Sequence, residues 1–168
     1  MRKIIFLDVD GVLNSLPYAE RVRNTVDDEE INEENVKRLK QIYDATNAEI
    51  IISSTWRDCD IPNNKSVYFM WQYLESKLRK YGMRISGKTP QLGNNRPYEI
   101  SEWLRENTER EEVRFVSLDD DFIEDEYEEY GIGNCLIRTY FFCLSEDEGG
   151  LQQEHVDMAI RKLNGDMD

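Results

Sequence analysis

The stretch Lys3-Ile4-Ile5-Phe6-Leu7-Asp8-Val9-Asp10-Gly11-Val12-Leu13-Asn14 decides how this chain is read. Its apolar run, Lys3 to Val9, is nearly unbroken until Gly11, which suits a strand buried on both faces of a parallel sheet. Strand alternation sends positions two apart to the same side, so Asp8 and Asp10 are expected to converge where the strand ends, while Gly11 permits a sharp exit. Two carboxylates together in a partly buried site repel each other, and a hard divalent cation keeps both ionised. Magnesium is the natural candidate, because it prefers carboxylate oxygens and accepts phosphate oxygen as a further ligand. An isolated Asp-x-Asp is more often a solvated turn. The strand before it argues otherwise here, and a calcium loop of the EF-hand type would place its glycine later and follow a helix.

Working outward, strand and helix patterns alternate along the chain. Asn32 is placed to cap a helix with Glu33 and Glu34 in its first turn and Val36, Leu39, Ile42 and Tyr43 at helical spacing. A strand over Glu49 to Ser53 follows, then a helix over Tyr68 to Tyr81 stopped by Gly82. Met83 to Ser86 reads as a short strand. Pro97 suits the first turn of a helix running to Asn107, and Val113 to Leu118 reads as another apolar strand. A last strand over Cys135 to Thr139 and a helix over Gln152 to Leu163 complete the order. Asn14 to Glu30 lacks periodicity and contains Pro17, so it is expected to be a loop or flap beside the first strand. This alternation predicts an α/β three-layer sandwich with a mainly parallel, Rossmann-like sheet, one domain across residues 1–168, and a ligand site beyond the carboxyl ends of the strands.

Composition narrows the function. The chain has 168 residues, with 35 acidic against 21 basic side chains for a formal charge of −14. That charge repels polyanions, so no extended nucleic-acid or anionic-membrane face is expected. No apolar run approaches the roughly 20 residues that span a bilayer. Three cysteines, Cys59, Cys135 and Cys143, lack Cys-x-x-Cys spacing, and a reducing cytoplasm fits them best. With His155 the only histidine, neither a Ser-His-Asp triad nor a Cys-His pair can be assembled within one chain, and any metal must be held by oxygen.

Three further pieces carry chemistry. Ile50-Ile51-Ile52-Ser53-Ser54-Thr55-Trp56-Arg57 is a buried strand ending in hydroxyls, which with free N–H groups can cradle an anion; taken alone, such a cluster is more often a helix cap. Arg57 could add charge there or orient a carboxylate. Lys88, in Gly87-Lys88-Thr89-Pro90, and Arg96 supply cations able to neutralise a phosphoryl group. Asp119-Asp120-Asp121 ends another buried strand, and the acidic run beyond it, Glu124 to Glu129, reads as solvated surface.

In this order the four pieces resemble the haloacid dehalogenase superfamily of phosphotransferases over nearly the whole chain. Ser-Ser-Thr-Trp-Arg, Gly-Lys-Thr-Pro, Arg96-Pro-Tyr-Glu-Ile, Trp103-Leu104, the Leu-Asp-Asp-Asp run and Gly149-Gly150-Leu151 are similar to the small subfamily associated with RNA-repair proteins, and that subfamily resembles polynucleotide 3′-phosphatase domains. The resemblance implies that Asp8 is a nucleophile forming an aspartyl-phosphate and that Asp10 is the general acid and then base. It implies a Mg2+ site made by Asp8, the Asp10 carbonyl and Asp120, supported by Asp119. Phosphate would meet Ser53, with Ser54 as the close alternative, and Arg96, with Lys88 retained.

The stretches where the family inserts large caps hold only a flap and one helix here, so a capless enzyme is expected. An open site would admit a phosphorylated small molecule or a nucleic-acid end. The charge of −14 opposes the polynucleotide unless Arg21, Arg23, Arg57, Lys65, Lys88 and Arg96 form a local positive mouth. The competing expectation is a phosphate-sensing or protein-binding module without turnover, using the acidic stretch Asp119 to Glu129 and exposed Tyr127 and Tyr130 as a partner surface. The oligomeric state is not legible in the sequence.

Overall fold

A computed structural model describes residues 1–27, 29–108 and 112–166. Five strands form one parallel sheet: β1 (Arg2–Leu7), β2 (Glu49–Ile52), β3 (Ile85–Lys88), β4 (Val113–Asp119) and β5 (Leu136–Arg138), in the order β3-β2-β1-β4-β5. The chain builds outward from β1 through β2 to β3, then crosses back to lay β4 and β5 on the other side. Strand order therefore reverses at β1, and a crevice opens beyond the carboxyl ends of β1 and β4.

Helices cover both faces. Helices α2 (Glu33–Thr46), α3 (Lys65–Lys80) and α6 (Gln153–Asn164) pack on one, where Leu39, Ile42, Leu74, Leu78, Val156 and Leu163 meet Ile5, Leu7, Ile50 and Ile52. Helices α4 (Arg96–Asn107) and α5 (Glu124–Glu128) lie on the other, where Ile100, Trp103 and Tyr127 meet Ile4, Phe6 and Ile51. Asn32 caps α2 by accepting from the Glu34 N–H at 3.0 Å, and Asn95 caps α4 from the Tyr98 N–H at 3.3 Å, leaving Arg96 at the helix mouth. Among the described residues no helix is long and apolar enough to cross a membrane.

The structure adds two α-helices and two short 3-10 turns and moves some boundaries. Part of the expected flap is a helix, α1 (Leu16–Val22), capped by Ser15 with Tyr18 and Val22 buried one turn apart; two apolar anchors in seven residues leave too little periodicity to read. The acidic run holds α5, and Tyr127, expected at the surface, is fully buried. The third strand starts at Ile85 rather than Met83. The first stops at Leu7, two residues short of Val9, with consequences for Asp10.

Candidate active site

Sheet parity delivers the polar groups. Leu7 pairs in register with Ile52 on one side and Leu118 on the other, so the next residues, Ser53, Asp8 and Asp119, stand level at the tips of β2, β1 and β4. The Ser53 N–H donates to the Leu7 carbonyl (2.8 Å) and the Asp8 N–H to the Leu118 carbonyl (3.1 Å), extending the ladder to this row. Counting back by two from each leads to Ile51, Phe6 and Ser117, so these side chains share the face covered by α4 and α5. All three are buried.

Arg96, the first residue of α4, enters that face and bridges the row. Its Nη1 donates to Asp8 Oδ2 at 2.7 Å and to Asp119 Oδ2 at 2.8 Å, with the guanidinium 5.4 Å from the Phe122 ring centroid. Asp119 is further fixed by the Tyr127 hydroxyl (3.1 Å) and the Asp121 N–H (2.9 Å), and Tyr127 in turn shares a hydrogen bond with Ser117 (2.8 Å). Asp8 Oδ1 accepts from the Val9 N–H at 2.8 Å.

Asp120 closes the group from above. Gly11 turns with φ +80, and a Cβ there would lie 2.1 Å from Asp120 Cγ, so only glycine allows this approach. Carboxylate oxygens of Asp8, Asp119 and Asp120 lie within 4.8 Å of one another. Burial pushes the Asp8 carboxyl well above its ordinary range, with Asp119 adding to the rise and Arg96 opposing it. Burial, then Asp121 and Asp119, push Asp120 up to about 6. Burial works against the charge on Arg96, yet Asp8 and Asp119 outweigh it and raise its pKa. One guanidinium among three carboxylates leaves the group short of positive charge, and the all-oxygen donor set fits a hard divalent cation.

Asp10 stands apart from this cluster. Because β1 ends at Leu7, the chain is already turning at Val9, whose carbonyl accepts from the Val12 and Leu13 N–H groups at 3.2 and 2.8 Å, and strand alternation no longer governs Asp10. Its Oδ1 accepts from Asn14 Nδ2 (2.8 Å) and its Oδ2 from Trp56 Nε1 (2.9 Å). The carboxylates that gather within 4.8 Å are those of Asp8, Asp119 and Asp120, while the Asp10 side chain, expected to converge with Asp8, is held by Asn14 and Trp56. Asp10 still faces the same cleft of about 250 Å³, lined by Asp8, Asp10, Thr55, Arg96, Asp120, Asp121, Phe141 and Phe142.

The alternatives left open in the sequence separate. Ser54 caps the 3-10 turn Thr55–Cys59 by accepting from the Trp56 N–H at 3.3 Å. The buried Ser53 hydroxyl has no partner among the described residues. Arg96 lines the cleft, whereas Lys88 is turned to Asp60 (2.8 Å) and lies outside it. Arg57 is a brace: its Nη2 donates to Glu99 Oε1 at 2.9 Å and its Nη1 to the Ser54 carbonyl at 3.2 Å, while the same Glu99 oxygen accepts from the Leu92 and Asn94 N–H groups. His155 accepts from the Gln152 N–H at 3.0 Å and so caps its own helix.

Of the six cations postulated for a positive mouth, Arg23 and Lys65 are exposed and make no ion pair among the described residues, and the other four are paired. Arg21 meets Glu146, Arg57 meets Glu99, Lys88 meets Asp60, and Arg96 meets Asp8 and Asp119. Sequence reasoning missed Trp56 and Asn14 as partners of Asp10, Tyr127 as a partner of Asp119, and Phe141 and Phe142 on the cleft wall. Trp56 and Asn14 lay inside quoted motifs, but only the fold reveals what they face.

Comparison with known families places the chain directly. The family described as "HAD domain in Swiss Army Knife RNA repair proteins" matches residues 4–156, which spans every strand tip described above. No curated protein matches.

Proposed function

The chain belongs to the HAD domain family of Swiss Army Knife RNA repair proteins, and from that membership together with the geometry at the tip of β1 we propose that it is a magnesium-dependent phosphomonoester hydrolase acting through an aspartyl-phosphate. The observation that carries this reading is the meeting of Asp8, Asp119 and Asp120 within 4.8 Å, with Asp10 on the same cleft but bound to different partners. Two acids in different environments are what a nucleophile and a proton carrier require.

In the first step an Asp8 carboxylate oxygen attacks phosphorus, the bond to the leaving oxygen breaks, and the Asp10 carboxyl gives that oxygen its proton. In the second, Asp10, now a carboxylate, takes a proton from water as the water oxygen attacks phosphorus, and the bond to Asp8 breaks to release phosphate. Arg96 holds Asp8 in place and contributes positive charge beside the phosphoryl group, with hydroxyls of Ser53 and Thr55 as further donors. Asp8, Asp119 and Asp120 would hold Mg2+, which when bound supplies charge against the phosphoryl oxygens. Trp56 and Asn14 fix the direction of the Asp10 carboxylate.

The substrate class that fits is a phosphorylated small molecule, a nucleotide or a nucleic-acid end, reached through an open cleft. Phosphate release from a panel of phosphomonoesters tests the assignment. Wild-type protein with Mg2+ is expected to turn over, excess chelator to stop it, and Asp8→Asn to lower it by about three orders of magnitude or more. Undiminished release by the Asp8→Asn protein would refute the nucleophile, and full activity in chelator would refute the metal.

A further inference from the structure

One wall of the cleft has a chemistry the phosphoryl site does not need. Phe141 and Phe142 line the cleft together with Asp8, Asp10, Asp120, Asp121 and Arg96. Their rings are 5.0 Å apart and nearly perpendicular, at 85°, yet Phe142 keeps 77 % of its surface exposed. A large apolar side chain left so open beside a polar cleft is available to a ligand.

The segment that presents it is braced. The Phe141 carbonyl accepts from the Leu16 N–H at 2.9 Å, the Tyr140 carbonyl from the Gly150 N–H at 2.9 Å, and the Leu151 N–H donates to the Val12 carbonyl at 2.8 Å. Arg21 pairs with Glu146, and Gln152 Nε2 donates to the carbonyls of Glu146 (3.0 Å) and Gly149 (2.6 Å). A residue held this way needs little further ordering when it meets a partner.

We propose that Phe142 is a stacking residue for a nucleobase, receiving the base of the nucleotide whose phosphate lies against Asp8 and Arg96. This rests on the phosphomonoesterase reading of the same cleft and adds the class of leaving group. Two observations favour a base over other occupants. Phe142 lines the same cleft of about 250 Å³ as Asp8 and Arg96, so one ligand that carries both a phosphate and a planar ring can meet both. Arg21, Lys88 and Arg57 are each already paired with an acid and the chain carries a formal charge of −14, so a phosphodiester backbone finds little complementary charge and a contact indifferent to charge gains weight. Base stacking on an aromatic side chain is such a contact and is sequence-tolerant. Free mononucleotides and the terminal nucleotide of a strand share this chemistry.

The test compares kcat/KM for nucleoside 3′- and 5′-monophosphates and end-phosphorylated oligonucleotides with that for ribose 5-phosphate, which lacks a base. Phe142→Ala is expected to lower the ratio of base-bearing to base-free substrate about tenfold, mainly through KM, and Phe142→Trp to keep it. The substrate with the higher kcat/KM identifies the source, and a KM for oligonucleotides that changes little with salt agrees with recognition by stacking. An unchanged ratio in Phe142→Ala overturns the proposal. A second readout avoids turnover: calorimetric binding of adenosine monophosphate and ribose 5-phosphate to the Asp8→Asn protein with Mg2+, with and without Phe142→Ala. Base preference that depends on Phe142 here, beside a wild-type protein that releases no phosphate, sustains the stacking site and rejects the phosphatase. Turnover with no base preference does the reverse.

Discussion

Two buried arginines beside α4 meet carboxylates in different proportions. Arg57 is matched by one buried acid, Glu99, whose Oε1 also accepts from two backbone N–H groups. Arg96 faces Asp8 and Asp119 together, with Asp120 alongside. The balanced pair joins the hydroxyl loop after β2 to the first turn of α4 and behaves as scaffold. The unbalanced group has charge left over, and a site able to attract a cation and a phosphoryl group needs that imbalance.

Breaking the balanced pair by removing one partner should give the largest effect, and on stability. Arg57→Met leaves a buried charge without its counterion and is expected to cost about 3–5 kcal/mol in urea or thermal denaturation, with turnover per folded molecule little changed. A large loss of turnover at full stability would erase the distinction between the two regions. Gly11→Ala attacks the unbalanced group by pressing a methyl into the Asp120 carboxyl. About a hundredfold loss of kcat is expected, together with weaker Mg2+ binding by calorimetry. Trp56→Phe removes one N–H donor from Asp10 and keeps the ring, and roughly a tenfold fall in kcat is expected, with the denaturation midpoint nearly unaltered.

The subtlest difference is in pH. Asp120 rises to about 6 from an ordinary 3.8, so the metal-free folded chain binds this proton more tightly than the unfolded chain does. Its contribution to stability therefore declines as pH climbs from about 4 to about 6, the reverse of an acid held by a salt bridge. Because Mg2+ competes with that proton, the gap between denaturation midpoints with and without Mg2+ should widen from about pH 5 to pH 7. The balanced Arg57 and Glu99 pair predicts no such dependence on metal, and a gap constant with pH would remove Asp120 from the cation's ligands.

What was legible in the sequence follows from periodicity. The apolar run before Asp8 and the run before Asp119 announce strands, and carboxylates just past strand ends announce a crevice, so the acid group could be placed before any coordinates. The partners of Asp10, Asn14 and Trp56, are not foretold by alternation, because β1 ends at Leu7 and the chain turns beyond it. Tyr127 was hidden by its neighbours: an aromatic among Asp125, Glu126, Glu128 and Glu129 reads as solvated, although a single turn of helix buries it beneath Asp119. Phe141 and Phe142 lie between a strand and a helix, where no repeat tells which side chain meets solvent and which meets a ligand. Arg57 and Glu99 are 42 residues apart, and pairing at that separation is visible only once the layers are assembled.

The parity that delivers Asp8 also places Phe6 and Ile4 in their layer. Deleting or inserting one residue between Ile4 and Asp8 would hand Val9 or Leu7 to the reactive position and at the same time turn Phe6 toward the opposite helices. Loss of chemistry and loss of packing are then a single event, so frame errors in this strand are removed by misfolding before they can yield a well-folded but inert protein.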